Sequence, residues 1–247
     1  MAEILAYFFF SHVLGPFEAR GSSMRLLHLS IPEPSTNLKP DSVSHILAHA
    51  IQELAVTLND RFLFIHGCAF LHNGEAIAFC GPSGSGKTTL SMVAHHLGYR
   101  VLGDDVVAVD WKQRRIYPFP LPFRPRPFTR DLLERWQLSK RETGSNVDPL
   151  RPHGGKHGFP LRRLYLASDE ETSNLHTILE SIFGSSELDP LELVRQINHA
   201  LANCRIKKCP PVRIAPDIDE SNMISVFKQW IQTEKMKCPQ EIFGMLS

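Results

Sequence analysis

The residues best equipped for chemistry lie between Phe79 and Leu90, which read Phe-Cys-Gly-Pro-Ser-Gly-Ser-Gly-Lys-Thr-Thr-Leu. Gly81, Gly86, Lys87 and Thr88 satisfy the phosphate-binding pattern G-x-x-x-x-G-K-[ST]. Each residue type has a physical reason. Gly81, Gly84 and Gly86 let the backbone take conformations that a Cβ forbids. The loop N–H groups and the start of the following helix can then point at anionic oxygens. Lys87 brings a full positive charge for β- and γ-phosphates, and the Thr88 hydroxyl stands where a Mg²⁺ ligand belongs. The candidate phosphate-binding set is Gly81, Ser83, Gly84, Ser85, Gly86, Lys87, Thr88 and Thr89. A plain Gly/Ser turn before a helix would look similar. From average residue usage, however, a chance match in a chain of this length is on the order of one per cent.

Four further groups could join this chemistry. Gly103-Asp104-Asp105 follows about one helix and one strand after Lys87. Adjacent carboxylates there can divide two tasks, one on Mg²⁺ and one taking a hydroxyl proton, with one of them titrating higher than the other; a bare Gly-Asp-Asp turn is the simpler alternative. His66 follows four apolar residues, and its strand is the hairpin partner of the one entering the loop, which can bring it near a γ-phosphate; a satisfied core histidine is the simpler alternative. Arg124, Arg126 and Arg130 lie in a proline-rich stretch and could stabilise charge on a transferring phosphoryl group, or be solvated charges. Lys156 with Arg151, Arg162 and Arg163 could close over a nucleotide or an acidic substrate. His95 and His96 read as solvent-facing residues at a helix end.

These residues need a scaffold, and the local patterns predict one. Asp41-Ser42 reads as a cap for an amphipathic helix through Leu54. Phe62–Leu71 is strand-like, Asn73-Gly74 signals a tight hairpin, and Ala76–Cys80 returns into the loop. A helix over Thr88–Leu97 ends at Gly98. Short strands follow at 99–102, 106–109 and 116–117, with a turn at Trp111–Arg114. Prolines 118, 120, 122, 125 and 127 predict a rigid extended connection, then a short helix over 131–138 and a mobile basic loop over 139–160. Beyond it lie a strand at 164–166, helices over 175–183 and 191–204, a last strand at 211–214, and a final helix capped by Asp219 or Ser221.

The chain of 247 residues accommodates one sizeable domain with a small attachment. We divide it into a strand-rich N-terminal attachment, residues 1–40, and a main domain, residues 41–247. The hydrophobic share of 43% and charged share of 21% are those of an ordinary globular protein. A net charge of +1 gives no field that calls for nucleic acid or a membrane surface. Five cysteines without paired metal spacing read as reduced thiols of a cytoplasmic protein. The apolar run Ile4–Phe10 lacks a basic flank and a cleavage site, so it reads as an aromatic strand, a candidate interface for a homo-oligomer, and not as a signal peptide.

Ile65-His66-Gly67, the Asn-Gly hairpin, the phosphate loop and Gly98-Tyr-Arg-Val-Leu-Gly-Asp-Asp-Val-Val107 together resemble the catalytic domain of HPr kinase/phosphorylase, and more closely the related kinases, including the serine kinases of lasso-peptide precursors. The resemblance is specific over about 62–127 and pattern-like beyond. It implies an α/β fold: a P-loop kinase domain of the HPr kinase/phosphoenolpyruvate carboxykinase type, a mixed sheet with an antiparallel hairpin feeding the loop. It implies ATP or another nucleoside triphosphate with Mg²⁺, phosphate held by Lys87, Mg²⁺ by Thr88, and His66 with Asp104 and Asp105 around the transferred phosphoryl. Asp104 is then the base and Asp105 the metal-side carboxylate, or the reverse. The Glu-Ile-Arg-Gly signature tied to phosphorolysis is replaced here by Phe159-Pro-Leu-Arg-Arg-Leu164, so neither phosphorolysis nor HPr as acceptor is carried over. The expected activity is transfer of a γ-phosphoryl group to a hydroxyl, on a serine of a peptide or small protein. The alternatives are a small-molecule kinase and a nucleotide-binding switch without transfer.

Overall fold

A computed structural model describes residues 40–119, 121, 123, 126–135, 157–168, 171–209 and 219–232. The expected N-terminal attachment, Arg124, most of the basic loop and the expected strand at 211–214 fall outside these residues. The fold is α/β, and among the described residues it has a mixed sheet of eight strands, mostly antiparallel. In chain order the elements are α1 (Pro40–Thr57), β1 (Phe62–Ile65), β2 (Gly67–His72), β3 (Glu75–Cys80), α2 (Lys87–His96), β4 (Val101–Gly103), β5 (Val107–Asp110), β6 (Arg115–Tyr117), α3 (Pro127–Arg135), β7 (Phe159–Ala167), α4 (Asn174–Ser181), α5 (Pro190–Leu201), β8 (Arg205–Cys209) and α6 (Glu220–Gln232). No helix among the described residues is long and apolar enough to cross a membrane.

Strand β7 is the hub. Its first residues pair antiparallel with β6, its length pairs parallel with β3, and its last five residues pair parallel with β8. Strand β3 therefore enters the phosphate loop between an antiparallel hairpin partner, β2, and a parallel neighbour, β7. The hairpin turns at Asn73 (φ 50°) and Gly74 (φ 78°), both left-handed, as the two-residue turn that matches strand twist requires.

Period-two alternation sorts the side chains into layers. From β2, β3 and β7, Phe70, Ile77, Phe79 and Tyr165 meet α2 and α6, where Phe227 and Trp230 are fully buried. The opposite face carries Ala76, Ala78, Cys80, Leu164 and Leu166 against Leu63, Val107 and the helical residues Ile178, Leu193 and Ile197. Phe62 and Phe64 point outward from β1 onto Ile51 and Leu54 of α1. Burial of side chains this large contributes roughly 1.5–3 kcal/mol each.

Several boundaries differ from the sequence expectation, each for a physical reason. The apolar run 62–71 is not one strand: it breaks at His66, where the chain leaves β5 as partner and takes up β3 and β4. Helix α1 begins at Pro40, so Asp41-Ser42 lies inside its first turn and is not its cap. Helix α3 begins at Pro127, four residues before the expected start, because a proline at the first helical position gives up an N–H that had no intrahelical partner. Strand β7 begins at Phe159, inside what reads as a basic loop, and Pro160 is accommodated near its start. Strand β8 is not expected from the sequence at all. Arg205, Lys207 and Lys208 hide its alternation, and its place is fixed by pairing to β7. Of the two candidate caps for α6, Asp219 is the one used: it accepts from the Asn222 N–H at 2.8 Å.

Candidate functional site

The phosphate-loop sequence forms a strand–loop–helix unit from β3 to α2. At Gly81 a Cβ would stand 2.5 Å from the Ala167 Cβ, so only glycine lets the loop leave beside the end of β7. Gly84 and Gly86 are left-handed, at φ 87° and 93°. Ser173, Asp189 and Asp219 cap their helices with side-chain oxygens. Helix α2 starts instead at Gly86 with no side-chain cap, which leaves its first N–H groups to the loop side. The Lys87 ammonium is buried and donates to the Gly81 and Pro82 carbonyls at 2.8 and 2.9 Å, which curls the loop around it. Burial lowers its pKa, while Cys68, Asp105, Cys80 and Asp104 pull the other way.

Arg126, just ahead of α3, donates to the Ser83 hydroxyl and lies beside Gly84. The buried Thr89 and Thr129 hydroxyls meet at 3.0 Å and tie α3 to α2, which fixes where Arg126 stands. Arg130 is exposed one turn further along α3.

The second half of the site is a crossing of two chain segments. Between β1 and β2 the chain changes sheet partners at His66; between β4 and β5 it does so at Asp104-Asp105. The segments meet where the Gly67 N–H approaches the Asp105 carbonyl at 3.4 Å, and two glycines make room around the crossing: a Cβ on Gly67 would be 2.9 Å from the Phe79 carbonyl oxygen, and one on Gly103 2.2 Å from the Val106 carbonyl oxygen. Because Gly67 pairs with Cys80, His66 stands across from the first residue of the phosphate loop. The His66 N–H donates to the Ser181 carbonyl at 2.6 Å, its ring rests near Phe183, and Nε2 lies 3.8 Å from the Asp105 carboxylate.

The two aspartates are sharply different. Asp105 is partly exposed and left-handed at φ 64°, a conformation a non-glycine residue adopts at a cost. Asp104 is 1% exposed, and neither carboxylate oxygen has a hydrogen-bond partner. Burial, and next the charge of Asp105, raise its pKa from 3.8 to about 7. The Ser91 and Thr88 hydroxyls and Lys87 draw it down, although no hydroxyl closes a bond onto the carboxylate. Beside it the Cys68 thiol is pushed far up, by burial first and Asp104 second, so it stays neutral.

The structure thus brings His66, Asp104, Asp105, Arg126 and the loop from Gly81 to Thr89 to one end of the sheet. Arg162 does not join them. It pairs with Glu75 at 3.3 Å, at the opposite end of β3, five residues or about 17 Å from the loop. Arg163 turns to the Ile231 carbonyl instead. Sequence reasoning passes over Ser91, Cys68 and Thr129. Ser91 had a usable signal, since it is four residues after Lys87 and so shares its helix face.

No group of three or more His, Cys, Asp or Glu residues that could hold a metal occurs among the described residues. Thr88 and Asp105 offer two hard oxygen donors, too few for an all-protein cage and suited to a Mg²⁺ ion that keeps waters and phosphate oxygens. Comparison with known proteins returned no matching family model, curated protein or solved structure.

Proposed function

We propose that the protein is an ATP-dependent kinase with a P-loop kinase fold of the HPr-kinase type, transferring the γ-phosphoryl group to a hydroxyl, on a serine of a peptide or small protein. The observation that carries this reading is Asp104: a buried carboxyl without a hydrogen-bond partner, titrating near neutrality, within electrostatic reach of the phosphate-loop lysine. A base of that pKa can both accept a proton at physiological pH and release it afterwards. A switch without transfer needs no such base beside an otherwise complete phosphate loop.

In this mechanism the loop N–H groups and Lys87 hold the triphosphate, and Arg126 faces it from the α3 side. Thr88 and Asp105 would hold Mg²⁺, which when bound neutralises charge on the phosphate oxygens. Asp104 takes the proton of the acceptor hydroxyl. The hydroxyl oxygen then bonds to the γ-phosphorus, the bond from that phosphorus to the bridging oxygen breaks with its electron pair, and ADP leaves. His66 orients Asp105 and borders the acceptor.

The test is incubation with γ-labelled ATP, Mg²⁺ and candidate acceptors, peptides and metabolites alike, followed by mass spectrometry to find the label. Label on a serine hydroxyl is the expected result. Label on a metabolite alone moves the reading to a small-molecule kinase, and labelled inorganic phosphate alone overturns transfer to a hydroxyl.

A further inference from the structure

Ser91 presents a problem that the loop chemistry leaves unsolved. It is 0% exposed in the middle of α2, and its hydroxyl has no hydrogen-bond partner. A buried helical serine ordinarily bonds back to the carbonyl four residues earlier, here that of Lys87. Ser91 does not, and an unmade bond at a buried hydroxyl costs about 1–3 kcal/mol. Alanine would fill the position at no such cost and with better helix propensity. What Ser91 faces is Asp104, the other side chain in this pocket whose buried oxygens are left without partners. Cys68 of β2, a buried neutral thiol, lies beside the same hydroxyl and the same carboxylate. Three elements thus meet at one buried polar cluster: α2 through Ser91, β2 through Cys68, and the β4–β5 link through Asp104.

We infer that Ser91 is a positioning residue for Asp104, its hydroxyl fixing the rotamer in which the carboxylate faces the acceptor. The hydroxyl stands between the weakly bonding Cys68 thiol and the Asp104 carboxylate, so it can turn to close onto whichever carboxylate oxygen is not engaged by the incoming hydroxyl. Ser91 itself touches neither nucleotide nor acceptor. The inference rests on the kinase reading, and its test separates the two.

Four nucleotide-free proteins are compared by denaturant unfolding at one pH: wild type, Ser91→Ala, Asp104→Asn and the double variant. The same four are assayed for label transfer from γ-labelled ATP·Mg²⁺ to a degenerate library of serine-containing peptides. Ser91→Ala is expected to lower kcat about tenfold, the worth of one hydrogen bond to a charged group, with the KM for ATP unchanged. In the Asp104→Asn background it should lower transfer no further, and the unfolding midpoints should be non-additive. A loss of equal size in both backgrounds, a loss that appears in the KM for ATP, or additive midpoints would show a merely structural serine and overturn the inference. If Asp104→Asn abolishes transfer while Ser91→Ala changes nothing, the inference fails and the kinase reading stands. If Asp104→Asn leaves transfer intact, Asp104 is not the base and the inference fails while the kinase reading stands; if wild type itself labels no acceptor, the kinase reading fails, and the unfolding midpoints alone decide whether the two side chains interact.

Discussion

Two aspartates flank strand β5. Asp110 closes it and Asp104 precedes it, and each is 1% exposed. Asp110 is fully engaged: one oxygen accepts from the Arg61 guanidinium at 2.9 Å and the other from the Gln113 N–H at 2.8 Å. Asp104 has no hydrogen-bond partner, and the charge beside it is another carboxylate, Asp105. The same side chain at the same depth, at either end of one strand, is in one case a structural fastener and in the other a group the fold bears at a cost. The difference lies in what surrounds each one. Asp110 sits at the end of β5 that pairs with the first residue of β1, away from the loop, while Asp104 sits where two segments cross beside it. One end of β5 thus holds a satisfied carboxylate and the other an unsatisfied one.

The largest effect that could break this contrast concerns Asp104 and pH. Its folded-state pKa is raised to about 7, so the protonated form is the one the fold favours. That contribution is fully present below about pH 4 and is lost as pH rises through about 7, by about 4 kcal/mol in all. The Asp104→Asn protein should therefore unfold at higher denaturant than wild type at pH 8, by about 4 kcal/mol, and the gain should vanish near pH 4. Equal stabilities at pH 8 would mean that the carboxylate is satisfied after all.

Next comes Arg61→Ala, which strips Asp110 of its cation. Arg61 is about a third exposed, so the expected loss is about 2 kcal/mol in the unfolding midpoint, below that of a fully buried pair. Gly74→Ala should cost about 1 kcal/mol through its left-handed backbone and leave transfer untouched. Smallest of all is Arg162→Ala at the far end of β3, expected to shift stability by under about 0.5 kcal/mol with no change in transfer. A loss of transfer in Arg162→Ala would show that the basic residues reach the site and would move the chemistry to both ends of the sheet.

The glycine-rich loop between β3 and α2 and the Asn73-Gly74 turn were legible in the sequence because their conformations are set by residues only a few positions apart. The break at His66 was not. Both faces of β1 and much of β2 are buried, so the apolar run is continuous, and only the exchange of partners from β5 to β3 and β4 ends one strand and starts another. That one aspartate would titrate above the other was expected, but which one was hidden for the same reason. Adjacent aspartates read alike until tertiary packing buries one and turns the other left-handed toward His66. Strand β8, with Arg205, Lys207 and Lys208, resembles a solvated segment and becomes a strand through its parallel pairing to β7. Ser91 looked like any small helical residue, and only the orphaned carboxylate opposite gives it meaning.

The most direct measurement sets the two aspartates side by side. Label transfer from γ-labelled ATP·Mg²⁺ to the serine-peptide library is compared for wild type, Asp104→Asn and Asp110→Asn, each at a temperature where circular dichroism shows it folded. The account predicts a loss of about 10²–10⁴-fold for Asp104→Asn, the worth of a general base, and a rate within about twofold of wild type for Asp110→Asn, since surroundings away from the loop carry none of the chemistry. Transfer at the wild-type rate by Asp104→Asn would contradict it.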